Sequence, residues 1–359
     1  MSATSTMREN NPASLQEATL QPAAVLTQMI SGYMVSQAIH VAAKLGVADL
    51  MTAGKARSVE ELARETGAHA PSLRRFMRAL CGAGVFAERE DGLFELTPVG
   101  ELLRSDVPGS QRDMAIYMGE EWHMRVWSGA FHSAQTGKTA HEHIYGKEVF
   151  PYFAANPEVA AVFDRAMTGM SAMVAPAVVE SYDFSSVKRI VDVAGGHGKM
   201  LSAILKANPH VSGTLFDVAS VIEGAGDKLD AEGVSRRCEL AIGDFFEGVP
   251  AGADAYLLKH IIHDWEDERA LAILRNCHRA MRDDGRLLVV EMVIAPDNQP
   301  HFGKLVDLEM LLFTGGCERT EAEYRELLAK AGFELTRVIP TPSPYSIVEA
   351  VKAGTRYMY

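Results

Sequence analysis

The run Val191-Asp192-Val193-Ala194-Gly195-Gly196-His197-Gly198 follows an apolar strand pattern and opens a helical one. Glycines at such a turn let a ligand approach the backbone closely. The run does not fit a dinucleotide fingerprint, because Leu201 stands where the third glycine belongs. Asp217 ends the next strand pattern, where a carboxylate accepts hydrogen bonds from both ribose hydroxyls. Asp244-Phe245 follows the third strand pattern. An acid beside an aromatic suits an adenine: the carboxylate accepts from the amino group and the ring stacks. Each acid alone reads equally well as a loop residue. Three such features after three successive strands, all on the carboxyl edge of one sheet, point to an adenosine-containing cofactor that is not a dinucleotide. The histidines of His141-Glu142-His143 have no downstream partner and read as a solvated loop, so no metal is expected.

Further along stand LLKHIIHDWEDERALAILRNCHRAM, DGRLLVVE and GGCERTEAEY. With these segments the chain, from residue 22 onward, resembles the S-adenosylmethionine-dependent O-methyltransferases of the plant caffeate and hydroxyindole type, whose bacterial relatives decorate aromatic natural products. The resemblance implies S-adenosyl-L-methionine as cofactor, a small hydroxylated aromatic acceptor, and a homodimer. It carries the family's histidine base onto His263 and its two glutamates onto Glu291 and Glu318. Gly195, Gly196, Asp217, Asp244, Phe245 and Lys259 fall on cofactor contacts. Phe163, Met167, His260 and Met310 fall on positions lining the acceptor pocket, joined by Met118 and Trp122. Two positions depart from the family. Ala194 stands where the turn usually begins with glycine, which is harmless if its φ is negative. His260 stands where plant members often carry an aromatic, so the acceptor does not transfer from them.

The chemistry fits those roles. A phenol with pKa near 10 is only about one part in a thousand phenolate at neutral pH. A histidine with pKa near 6.5 is neutral there and takes the proton as the oxygen attacks. A sulfonium already activates its methyl group, so the protein needs only to align oxygen, methyl and sulfur and exclude water. A carboxylate on the far ring nitrogen would fix the tautomer, and either Glu291 or Glu318 is available for it. The plain alternative is that His263 merely caps a helix starting at Asp264.

Elements to position these residues are legible along the chain. Residues 1–21 read as a mobile leader. Apolar residues recur at helical spacing on both faces from Pro22 to Leu45, which suits a buried subunit contact. Ser58 and Glu61 form a capping box, Pro71 opens a second helix, and Asp91-Gly92 marks a hairpin. Helix, helix, hairpin is a winged-helix pattern, yet residues 1–110 hold 10 Lys plus Arg against 12 Asp plus Glu, which favours a dimerisation domain (22–110) over a DNA-binding regulator. Residues 111–185, rich in Met and aromatics, read as a helical acceptor-binding region, adaptable to a planar ligand.

From residue 186 strands and helices alternate, predicting a doubly wound, mostly parallel α/β sheet of seven strands (186–359). About six residues separate the last two strand patterns, so those strands must pair antiparallel. The 359 residues, 47% hydrophobic and 23% charged with net charge −12, suit an ordinary globular protein and argue against bulk nucleic-acid or anionic-membrane binding. A polar start and four scattered cysteines point to the cytoplasm. The remaining alternatives are a homologue that methylates carbon or nitrogen, and one using the cofactor for other chemistry.

Overall fold

The computed structural model describes residues 21–52 and 54–354; the expected leader lies, but for its last residue, outside them. Pro22 sits in the first turn of α1 (Pro22–Ile30). The apolar stretch expected as one helix is two, with α2 (Gly32–Leu45) following a break at Ser31. There the Ser31 hydroxyl donates to the carbonyls of Thr27 and Gln28, and Gly32 commits weakly to a helix. Leu26, Met29, Ile30, Tyr33, Met34 and Val35 remain exposed on these helices. The capping box opens α3 (Val59–Thr66). Then come α4 (Ala70–Gly82), β1 (Phe86–Glu88), β2 (Phe94–Leu96) and α5 (Pro98–Glu101). The hairpin turns through Gly92 at φ 77°, and Leu62, Met77, Leu80, Phe86 and Phe94 form the small core beneath it.

A helical layer connects this domain to the sheet: α6 (Arg112–Gly119), α7 (Glu121–Ser128), α8 (Ala130–Thr136), α9 (Ala140–Tyr145), α10 (Val149–Ala155) and the long α11 (Pro157–Ser181). Helix α6 packs on α2 and on α11. Gly119 permits the first contact, since a Cβ there would lie 2.3 Å from the His40 ring. His141, expected in a solvated loop, is fully buried in α9 with Nδ1 2.9 Å from the Lys147 carbonyl. Aromatic neighbours Tyr145 and Tyr152 draw it inward, and no metal-ligating cluster exists among the described residues.

The remainder alternates as expected: β3 (Arg189–Val193), α12 (Lys199–Ala207), β4 (Ser212–Asp217), α13 (Ala219–Ile222), α14 (Ala225–Ala231), β5 (Cys238–Ile242), β6 (Ala255–Lys259), α15 (Asp267–Ala280), β7 (Arg286–Glu291), α16 (Gly303–Phe313), α17 (Glu321–Lys330), β8 (Phe333–Pro340) and β9 (Ser346–Lys352). The seven strands order β5-β4-β3-β6-β7-β9-β8. Only β9 runs against its neighbours. The order reverses between β3 and β6, so the loops after these strands diverge to leave a crevice at their carboxyl ends. Residues 194–198 and 260–266 flank that crevice.

Strand β9 carries one buried acid. Glu349 accepts from Tyr182 Oη, Thr336 Oγ1, Arg337 and Arg286. Burial opposes its charge, but Arg337, Tyr182 and Thr336 outweigh burial and hold its pKa down to about 2. A depressed carboxylate contributes stability above its unfolded pKa of about 4.3 and loses it as pH falls. Glu349→Gln is expected to destabilise the fold by roughly 2 kcal/mol, less than for a wholly buried pair because both arginines reach solvent. Urea titrations at pH 7 and pH 3 check this: the deficit should shrink at pH 3.

Candidate active site

Backbone geometry at the turn explains its glycines. A Cβ on Gly195 would lie 2.5 Å from the Asp192 carboxylate and from Leu215. Gly196 and Gly198 have φ of 59° and 75°. Ala194 also has positive φ, at 54°, contrary to the condition under which alanine would be harmless; its Cβ crowds the following carbonyl at a cost of roughly 1–2 kcal/mol. Asp217, at the end of β4, accepts from the Gly196 amide at 2.8 Å and from the Val218 amide at 2.7 Å. It thus shapes the turn and retains lone pairs for a ligand. Burial pushes its pKa up.

Asp244 is exposed after β5 and accepts from the Phe246 amide at 2.7 Å. Phe245 packs against Phe246 and Trp265, so the adenine-side loop touches the segment carrying His263. Asp192 is buried and its Oδ2 has no partner among the described residues. One unpartnered, buried Asp192 oxygen under a glycine cradle, with Asp217 ending β4 and Asp244 just beyond β5, fits a cationic adenosyl ligand such as S-adenosylmethionine.

Across the crevice, β6 ends at Lys259 and the chain folds into a 3₁₀ turn, Ile262–Asp264. Helix α15 begins only at Asp267, so His263 does not cap it. The His263 Nδ1 lies 2.7 Å from Glu318 Oε1, and both side chains are buried. Glu291 takes a different part. Its Oε1 accepts from the amides of Ile261, Ile262 and His263 at 3.1, 2.7 and 3.1 Å, and its Oε2 accepts from Tyr324 Oη. The contact to the imidazole therefore belongs to Glu318, while Glu291 pins the backbone of the turn.

Burial works against a charged His263, but the carboxylates of Glu318, Asp264 and Glu291 prevail and its pKa is pushed up to about 10. The ordinary imidazole value expected from sequence does not survive the three surrounding acids. Burial pushes Lys259 down to about 8 against the pull of Asp192. Its Nζ lies 3.2 Å from His260 Nδ1.

Three residues that the sequence reading passed over complete the turn. Arg319 is buried and donates to the carbonyls of Ile262, Trp265 and Cys317 and to Asp267. Gly316 lets the strands of this knot touch: a Cβ there would fall 2.0 Å from the His263 carbonyl oxygen. Tyr324 supports Glu291. The double glycine of GGCERT was the available signal for close approach, and Arg319 beside Glu318 had none.

Of the residues expected to line the acceptor pocket, Met118, Trp122, Phe163 and Met167 lie in the helical layer, while His260 follows β6 and Met310 lies on α16. Trp122 packs among Tyr117, Phe153 and Phe313, and Phe163 and Met167 pack against the same cluster. Phe150 joins that cluster to Trp265. Met310 is buried on α16, two residues before Leu312 of the cluster, whereas Met118 is exposed. Glu309, next to Met310, accepts from His123 Nε2 at 2.6 Å and Trp127 Nε1 at 2.7 Å, binding α7 to α16.

A doubly wound sheet with a glycine cradle, acids at successive strand ends and a buried His–Glu pair at its switch point defines an adenosyl-cofactor transferase. The O-methyltransferase domain family matches residues 127–334, and the O-methyltransferase dimerisation domain family matches residues 27–106. Phenazine O-methyltransferase PhzM of Lysobacter antibioticus is 47% identical over 344 residues, covering 96% of this chain and 99% of its own. Human N-acetylserotonin methyltransferase in complex with SAM superposes with a TM-score of 0.86 at 25% identity, covering 93% and 99%. NcsB1, an O-methyltransferase from neocarzinostatin biosynthesis in complex with S-adenosylmethionine and 2-hydroxy-5-methyl naphthoic acid, gives 0.75 at 36%, covering 88% and 95%. The chain belongs to the S-adenosylmethionine-dependent O-methyltransferase family.

Two outcomes are expected from the site's geometry. Gly316→Ala must displace the His263 turn, and a shift of about 1 Å costs roughly 10²-fold in turnover; steady-state kinetics beside calorimetric cofactor binding would reveal a loss confined to turnover. If His263 must be deprotonated to act as a base, kcat/KM should rise with pH through the alkaline range, toward about 10. Removing an anionic partner lowers a histidine pKa by about 1–3 units, so in Glu318→Gln that rise should move to lower pH. A pH profile unchanged in the variant would contradict the coupling.

Proposed function

We propose that the enzyme transfers a methyl group from S-adenosylmethionine to a hydroxyl of a small planar aromatic acceptor, phenolic or polyketide-like, with His263 as general base. The observation that carries this reading is the buried 2.7 Å contact between His263 Nδ1 and Glu318. With Nδ1–H donated to the carboxylate, Nε2 is left as the basic nitrogen. The acceptor hydroxyl gives its proton to Nε2 as its oxygen forms the bond to the methyl carbon. When bound, the cofactor supplies an electrophilic methyl on a sulfonium, and the carbon–sulfur bond electrons leave with the thioether. A His263 basicity raised toward that of a phenol makes the proton transfer nearly balanced. Glu291 acts on this chemistry through the backbone, as a positioning residue.

In this reading Gly195, Gly196, Asp217, Asp244, Phe245 and Lys259 hold the cofactor. Met118, Trp122, Phe163, Met167, His260 and Met310 surround the acceptor, a role that for Trp122, Phe163 and Met167 is supported by their shared aromatic cluster. Residues 22–110 serve as a dimerisation domain, 111–185 as the acceptor-binding region and 186–359 as the catalytic domain. The exposed apolar face of α1 and α2 supports a homodimer, and four free cysteines fit a reducing cytoplasm.

Methyl-labelled cofactor incubated with hydroxylated naphthoates, phenazines and simple phenols should label at least one acceptor at oxygen. His263→Ala should cut that turnover by roughly 10²–10⁴-fold while cofactor binding persists; full activity would remove the base. Sedimentation should give a dimer at micromolar concentration, and a Tyr33→Glu, Met34→Glu variant should shift it toward monomer.

A further inference from the structure

His260, one of the residues proposed around the acceptor, is a buried polar side chain to which the methyl transfer described above assigns no specific contact. Its backbone sits at φ 57°, a conformation L residues hold only where the surroundings enforce it. Its ring stacks on that of His263, with centroids 5.3 Å apart and planes 29° apart, and lies 4.6 Å from the Tyr345 ring. The Lys259 Nζ lies 3.2 Å from Nδ1, and an ammonium only donates. Nδ1 is therefore the acceptor, and Nε2 carries the hydrogen. That Nε2–H is buried and has no partner among the described residues. A buried unpaired donor is costly and calls for a partner. Burial, together with the charges of Lys259 and His263, holds the ring well below the ordinary histidine pKa, so it stays a neutral donor.

We infer that His260 is a specificity-determining residue whose Nε2–H donates to a hydrogen-bond acceptor placed beside the reacting hydroxyl of the substrate, ortho or peri to it. The inference rests on the proposed O-methyl transfer and names its substrate class: aromatic hydroxyls adjacent to a carbonyl, carboxylate or ring nitrogen. In such compounds the hydroxyl hydrogen is bonded internally to that neighbour, which makes it harder to remove. A donor on the turn that bears His263 takes over the neighbour and frees the hydroxyl proton for His263. His260 itself transfers no atom. The stack of the two imidazoles sets the donor next to the base, as an ortho or peri pair requires.

The test uses two matched pairs: 3-hydroxy-2-naphthoate against 2-naphthol, and 1-hydroxyanthraquinone against 2-hydroxyanthraquinone. Dissociation constants are measured on the full-length enzyme loaded with S-adenosylhomocysteine, and kcat/KM with labelled cofactor. Sites built around a hydrogen bond discriminate strongly against ligands lacking the partner, so the wild type should prefer the first member of each pair by roughly tenfold or more. His260→Phe should erase both preferences, and His260→Gln, which keeps an N–H, should retain part of them; S-adenosylhomocysteine binding reports whether each variant is folded. Equal binding within each pair by the wild type overturns the inference. So does a preference confined to the naphthoate, which would reflect the charge of Lys259, or one that persists in folded His260→Phe. If binding shows both preferences but no acceptor is methylated, this inference stands and the proposed reaction fails.

Discussion

A carboxylate and an imidazole, both removed from water, meet at 2.7 Å between Glu318 and His263, and much of the surrounding structure exists to make that contact tolerable. Buried charge is stable only when paired and hydrogen-bonded. The turn that carries His263 is accordingly tied through several of its backbone groups. Glu291 takes its amides and Arg319 takes its carbonyls. Gly316 allows the segment bearing Glu318 to touch it. The result is an imidazole with one tautomer and one orientation, which is what the proposed base needs.

The sheet contributes the place rather than the chemistry. Reversal of strand order between β3 and β6 parts the loops that hold the Asp217–Gly196 cradle and the His263 turn, so that a cofactor and an acceptor can approach each other there. The helical layer closes the other side. Glu309 ties α7 to α16 through His123 and Trp127, and α11 contacts both the N-terminal domain, through α6, and α12 of the sheet. The acceptor-side cluster is thereby fixed relative to the crevice.

Much of this was legible in the residues. Seven strands, the reversed last pair, the Ser58–Glu61 capping box and the Asp91-Gly92 hairpin follow from periodicity and local turn chemistry, which depend on near neighbours in sequence. Asp217 and Asp244 stood out because one ends a strand and the other follows one. What escaped depends on contacts distant in sequence. Glu291 and Glu318 look alike on paper, and only the fold decides that one meets backbone amides and the other an imidazole. Whether Ala194 has a negative φ was open in the sequence, and the turn imposes 54°. His141 was assigned to solvent, but tertiary packing with Tyr145 and Tyr152 buries it. The His263 pKa could not be read at all, because it is set by three acids that the fold gathers around it.

The central claim is that Glu318 and its neighbouring acids turn His263 into an oriented base far stronger than a free imidazole. Nitrogen-15 NMR of the histidine-labelled enzyme, titrated from pH 6 to pH 10.5, observes this directly. His263 should keep its Nδ1 proton throughout, and its Nε2 should titrate well above 6.5, toward about 10. A His263 that titrates at or below 6.5 would contradict it.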